Sequence, residues 1–166
     1  MRLENVKYLK LCGEAVEMVF NRTKTQFRFP VRDIEQPPYA IGDIIGIKEA
    51  WAKVEDVYFY RVSGVLPNWT NETWHSSVCM PEEAVRIFLK VENIEVQHLK
   101  DITVDEVDME GIWKYGSMFP ILTFANAWDK SLSAKKKDVY CWDKNPLVWV
   151  VTFRRMDEQE CSEEYE

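Results

Sequence analysis

Between Asn21 and Val31 the chain reads Asn-Arg-Thr-Lys-Thr-Gln-Phe-Arg-Phe-Pro-Val, with three cations and two aromatic rings in eleven residues. Arg22, Lys24 and Arg28 can contact phosphate. Phe27 and Phe29 offer flat faces on which a base can stack. Cations beside rings suit a single-stranded nucleotide or a base. The same residues also suit ordinary architecture, with the rings in a core and the cations at the surface. Two residues downstream join the candidate set. Glu49 and Trp51 share a strand face with Ile45 and Ile47. A carboxylate on an apolar face needs a partner, either a nearby cation or a ligand.

Other chemistries lack their residues. There is no GxSxG, HExxH or GxxxxGK[ST] pattern. Cys12, Cys79, Cys141 and Cys161 form no CxxC pair, and the only histidines are His75 and His98. That spacing argues against zinc, and no metal or cofactor is expected. No run approaches a membrane span and no apolar leader is visible at the start, so a reduced, cytoplasmic protein is expected.

The elements that must position these residues follow from local pattern. Val6–Leu11 reads as a short strand. Glu14–Phe20 places Ala15, Met18 and Val19 at helical spacing, with Asn21 as its stop. From Thr25 to Phe29 the pattern alternates, Thr25, Phe27 and Phe29 on one face, Gln26 and Arg28 on the other. Ile44–Ala52 reads as one strand and Tyr58–Val62 as another. Pro81 opens a single helical turn, and Val85–Leu99 gives the longest strand signal. Its apolar parity changes past Asn93, which predicts a β-bulge near Glu92-Asn93. Thr103-Val-Asp-Glu106 is a capping box, so a helix starts there and stops at Gly111. Pro120 opens a second helix carrying Phe124, Ala127 and Trp128. Ser133–Asp138, with its lysine run, reads as a loop, and Leu147–Phe153 as a strand buried on both faces.

The chain has 166 residues, 46% hydrophobic, enough for one core without disulfides. Its net charge is −7, and six acids stand among the last ten residues, so removing them leaves −1. The acidity therefore describes a tail and does not exclude a polyanion partner for a local patch. Residues 1–156 read as one domain and 157–166 as a disordered acidic tail.

The order of these pieces resembles the ASCH domain, a relative of the PUA fold. More closely it is similar to small ASCH-like proteins of phage and prophage genomes. Five stretches carry the resemblance: Glu14–Val31, Tyr39–Ala52, Met80–Arg86, Leu99–Ile112 and Trp142–Phe153. The second contains Gly-Asp-Ile-Ile-Gly-Ile-Lys-Glu-Ala-Trp-Ala, the third opens on Met-Pro, and the fourth ends in Glu-Gly-Ile.

The resemblance implies an α+β fold with a small, mainly antiparallel β-barrel flanked by helices. It also implies a cleft at the first helix–strand junction that binds RNA or a modified nucleoside. One branch of the family hydrolyses N4-acetylcytidine, with a Lys as base, a Thr three residues later as nucleophile, and a Glu from a later helix. Lys24 and Glu110 match the Lys and the Glu. The Thr position holds Phe27, the family Arg position holds Phe29, and the Gly two before the Lys is Arg22. Three readings follow. The first is a binding module for single-stranded RNA or a nucleoside, using Arg22, Lys24, Phe27, Arg28, Phe29, Glu49, Trp51 and Glu110. The second is an amidohydrolase that keeps Lys24 and Glu110 but lacks a side-chain nucleophile. The third is an accessory factor that binds a protein partner through Trp69 and Trp74.

Overall fold

The computed structural model describes residues 5–11, 13–112 and 118–163. Five strands form one sheet in the order β1 (Lys7–Lys10), β3 (Ile44–Lys48), β6 (Phe88–His98), β7 (Leu147–Arg155) and β2 (Gln26–Pro30). β4 (Trp51–Val54) and β5 (Val57–Tyr60) make a separate two-stranded antiparallel sheet. β3 pairs antiparallel with β6 and β2 with β7, while β1 joins β3 in parallel. Among the described residues the α-helices are α1 (Glu14–Phe20), α2 (Val104–Met109), α3 (Pro120–Ser131), α4 (Ala134–Tyr140) and α5 (Glu158–Glu163). The class is α+β, as expected. The expected barrel is not: among the described residues the large sheet is open, ending on β1 and β2.

The single strand expected over Ile44–Ala52 breaks at Glu49. The Glu49 N–H donates to Met80 Sδ at 3.2 Å, and its carboxylate turns to Arg86. The chain leaves the β3 ladder there, and Trp51 instead pairs with Tyr60 and His75.

Contacts within the chain group it into two compact units: residues 1–21, 43–90 and 155–166, and residues 22–42 and 91–154. In the first, α1 buries Val16 and Val19. Its apolar stripe is thus turned slightly from the expected Ala15-Met18-Val19. Glu14 and Glu17 sit in its first turn, where the helix dipole favours acids. Ile45, Ile47, Ile87 and Leu89 are fully buried. Gly46 is required because a Cβ there would meet the Tyr8 ring at 2.8 Å. Near the C-terminus α5 runs from 158 to 163, and Glu160 Oε2 accepts from the Asp157 N–H at 2.9 Å. Cys161 packs against Ile44 and Met156.

In the second unit the core is Leu99, Ile102, Val107, Phe124, Trp128, Val148 and Val150. The capping box at Thr103 and Glu106 is complete and starts α2. Gly111 ends it with φ of 82°, a left-handed conformation that glycine adopts without strain. α3 begins at Pro120 and buries Phe124, Ala125 and Trp128, with Ala127 exposed instead of buried. The lysine run, expected as a loop, lies on α4, whose end is held by Trp128 Nε1 donating to the Tyr140 carbonyl at 2.8 Å. β7 buries Val148 to Val151 and Phe153. Along β6, adjacent Glu92 and Asn93 are both exposed, and Ile94 and Val96 then become the half-buried positions. That is the parity change the sequence predicts. No described helix is long and apolar enough to cross a membrane.

Candidate functional site

β2 enters the sheet from the end of α2. The Thr25 N–H donates to the Met109 carbonyl at 2.7 Å, and Thr25 then accepts from the Phe153 N–H at 2.9 Å. This stitch brings Lys24 to the last carbonyls of α2. Lys24 Nζ donates to the Glu110 carbonyl at 3.0 Å and also to Glu110 Oε2. The first contact caps a helix C-terminus, a role that lysine commonly fills.

Arg28 reaches the same carboxylate from within the strand. Its Nη1 donates to Glu110 Oε1 at 2.8 Å and to Gln26 Oε1 at 3.0 Å. Its Nη2 lies 3.1 Å from Glu106 Oε1, an ion pair without hydrogen-bond alignment. Gln26 Nε2 donates in turn to Thr152 Oγ1 at 3.2 Å, across the β2–β7 register. Two cations and two carboxylates thus balance in charge. Lys24, Gln26, Arg28 and Glu110 are all buried. The Arg28 side chain is 1% exposed, and both Nε and Nη2 lack a hydrogen-bond acceptor. Such buried donors are costly, about 1–3 kcal/mol each.

The opposite face of β2 is aromatic. Phe27 stacks on Phe153 at 4.6 Å between centroids and leans on Phe29 at 6.1 Å. Phe29 meets Tyr39 edge-on at 5.9 Å. Lys24 Nζ lies 5.0 Å from the centre of the Phe27 ring. Lys24, position 27 and Glu110, the three positions set out by the family resemblance, therefore meet in space. Position 27 offers a ring where that chemistry needs a hydroxyl.

The other candidates have separate surroundings. Arg22 is exposed, on the turn after α1, with φ of 62°. Glu49 and Trp51 belong to the first unit. Glu49 is fully buried and paired with Arg86, whose Nε and Nη2 lie 3.0 and 3.3 Å from its two oxygens. Arg86 packs over the Tyr60 ring at 3.8 Å and the Phe20 ring at 4.8 Å. Tyr60 donates to the Ala84 carbonyl at 2.8 Å, and burial holds its hydroxyl above the ordinary tyrosine value. Glu49 is thus a paired carboxylate in a closed ion pair. Trp51 packs against Tyr58 and His75. Trp69 is exposed, as the accessory reading expects, but Trp74 is half-buried. Among the described residues no group of three or more His, Cys, Asp or Glu side chains could hold a metal.

Three members of the buried cluster were not singled out in the sequence. Glu106 and Glu110 are four apart on α2, so both face Arg28. Gln26 alternates with Arg28 along β2. Thr152 has no local signal, because only the register with β7 brings it to Gln26.

No family model and no curated protein matches the chain. Solved structures do match. The chain is similar to an ASCH domain from Lactobacillus crispatus, at 7% identity and a TM-score of 0.56, over 91% of this chain and 79% of that one. It is similar to an Enterococcus faecalis protein of the DUF984 family, at 11% identity and a TM-score of 0.53, over 95% of this chain and 82% of that one. A hypothetical protein matches at 12% identity and a TM-score of 0.50, over 91% and 99%. The fold of this chain is the ASCH fold.

Proposed function

We propose that the protein is a binding module for single-stranded RNA or a modified nucleoside, without hydrolytic activity. One observation carries the reading. Lys24, Arg28 and Glu110 are drawn together at the start of β2, and the buried Arg28 guanidinium keeps an Nε–H that no protein group accepts. A base edge presents carbonyl and ring-nitrogen acceptors in a plane, which is what a guanidinium fork recognises. Because the Arg28 side chain is almost fully enclosed, a ligand reaches it only when neighbouring side chains move aside.

The hydrolytic alternative lacks its nucleophile. Covalent amide cleavage needs a hydroxyl or thiol beside the base. Position 27 is a phenyl ring packed on Phe153. The test pairs two measurements on one preparation: binding of short single-stranded RNA at low salt, and release of acetate from N4-acetylcytidine. Binding without release is expected. Turnover that disappears in Lys24→Ala would overturn the reading. No RNA binding at low salt would favour the accessory reading, with exposed Trp69 as its anchor.

A further inference from the structure

The aromatic face of β2 carries a cleft distinct from the buried cluster. Phe29 and Trp149 are register partners in the β2–β7 pair, so both side chains leave the sheet on one side. With Pro38 they line a cleft of about 280 Å³. Arg32, Gln36 and Lys136 also line it, and all three are exposed. Neither Arg32 nor Lys136 is ion-paired among the described residues. The acid nearest Arg32 in sequence, Asp33, turns to its own loop and accepts from the Glu35 N–H at 3.0 Å. Two cations without a carboxylate partner thus stand beside a ring wall. The volume lies near the lower end of small-molecule sites, roughly 300–1,000 Å³.

We propose that this cleft binds a nucleoside monophosphate unit, free or within an RNA strand. The base stacks on Phe29 beside Trp149, the phosphate lies between Arg32 and Lys136, and the Gln36 amide faces the base edge. Stacking accounts for the ring, and the two cations account for the anion. The choice of a nucleotide over other anionic aromatics rests on the nucleic-acid reading above. The site itself is separate from Arg28.

Calorimetric titration of the full chain tests this with nucleoside 5′-monophosphates, the matching nucleosides, inorganic phosphate and a short oligoribonucleotide. A monophosphate should bind at least about tenfold tighter than its nucleoside or phosphate, an ordinary gain for combining stacking with a charge-assisted contact. Arg32→Ala with Lys136→Ala should remove that gain. Lys135→Ala, one position away on α4 and outside the lining, should leave it intact. With the oligonucleotide, the double variant should flatten the slope of log K against log salt by about 0.7, the value for the one phosphate that the two cations share. That flattening without binding of free monophosphate would identify the strand as the source. The proposal is overturned by equal affinity for nucleoside and monophosphate, by binding unchanged in the double variant, or by no binding of any probe. Loss in Arg28→Lys but not in the double variant would overturn the cleft while supporting the buried centre.

Discussion

Arg28 and Glu110, 82 residues apart in sequence, share a hydrogen bond of 2.8 Å between Nη1 and Oε1. The carboxylate that answers Arg28 also answers Lys24, so one side chain at the end of α2 pairs with two cations on and before β2, and Glu106 supplies the second negative charge. This arrangement fixes the start of β2 against the end of α2 and sets the geometry from which the functional reading follows.

The first prediction concerns that shared carboxylate. Glu110→Ala leaves Lys24 and Arg28 buried with only Glu106 nearby. Removing one partner of a buried ion pair costs about 3–5 kcal/mol. Urea denaturation should show the midpoint falling accordingly. Glu106 is more exposed, at 18% for its side chain. Glu106→Ala mainly removes the capping box, and its cost should be smaller, about 1–2 kcal/mol.

Arg22 gives the second. Its φ of 62° lies in the left-handed region, where a non-glycine residue pays about 1–2 kcal/mol. Glycine at that position relieves the strain but loses about 0.5–1 kcal/mol of backbone entropy. Arg22→Gly should therefore stabilise the protein slightly, by about 1 kcal/mol or less. If Arg22 contacts phosphate, the same change should flatten the salt slope of RNA binding by about 0.7. Thermal melts and a salt titration on one variant separate the two effects. A stability gain with unchanged RNA binding would remove Arg22 from the site.

Tyr60 supplies a pH dependence. Burial is the main reason its hydroxyl holds its proton more tightly than an exposed tyrosine, with Glu49 and Tyr58 adding to the effect and Arg86 opposing it. The folded state therefore retains a proton that the unfolded chain releases above about pH 10. This contribution to stability is fully present below that pH and is lost as pH rises through the folded value. Denaturant midpoints measured from pH 9 to 11.5 should fall more steeply for the native protein than for Tyr60→Phe. Parallel curves would contradict this. At pH 7 the Phe variant should be less stable by about 0.5–1.5 kcal/mol, for the lost bond to Ala84.

The parts of the fold set by local chemistry were legible in the sequence. The capping box at Thr103, the stop at Asn21 and the alternation along Gln26–Phe29 each depend on neighbours in sequence. The two faces of β2 followed from that alternation. What was not legible depends on distant partners. Glu49 ends β3 because Met80 and Arg86 draw its backbone and side chain away, and neither is local. The lysine run folds as α4 because its end is held by Trp128, although its composition alone suggests a solvated loop. Thr152 joined the cluster only through pairing of β7 with β2. At the candidate site, the resemblance matched Lys24 and Glu110 to two family positions, but whether they face one another was not legible in the sequence. Nor was the junction of Arg28 with the same carboxylate, which needs β2 and α2 to be brought together.

The measurement that bears most directly on the functional reading compares RNA binding by the native protein and by Arg28→Lys. Lysine keeps the charge opposite Glu110 but lacks the guanidinium Nε–H and the planar fork, so the fold should survive while the unaccepted donor is lost. The account predicts binding of short single-stranded RNA at low salt, weakened at least about tenfold in Arg28→Lys, the scale of a lost charge-assisted contact of about 1.5–3 kcal/mol. Equal affinity in a folded Arg28→Lys protein, or no binding by the native protein at low salt, would contradict it.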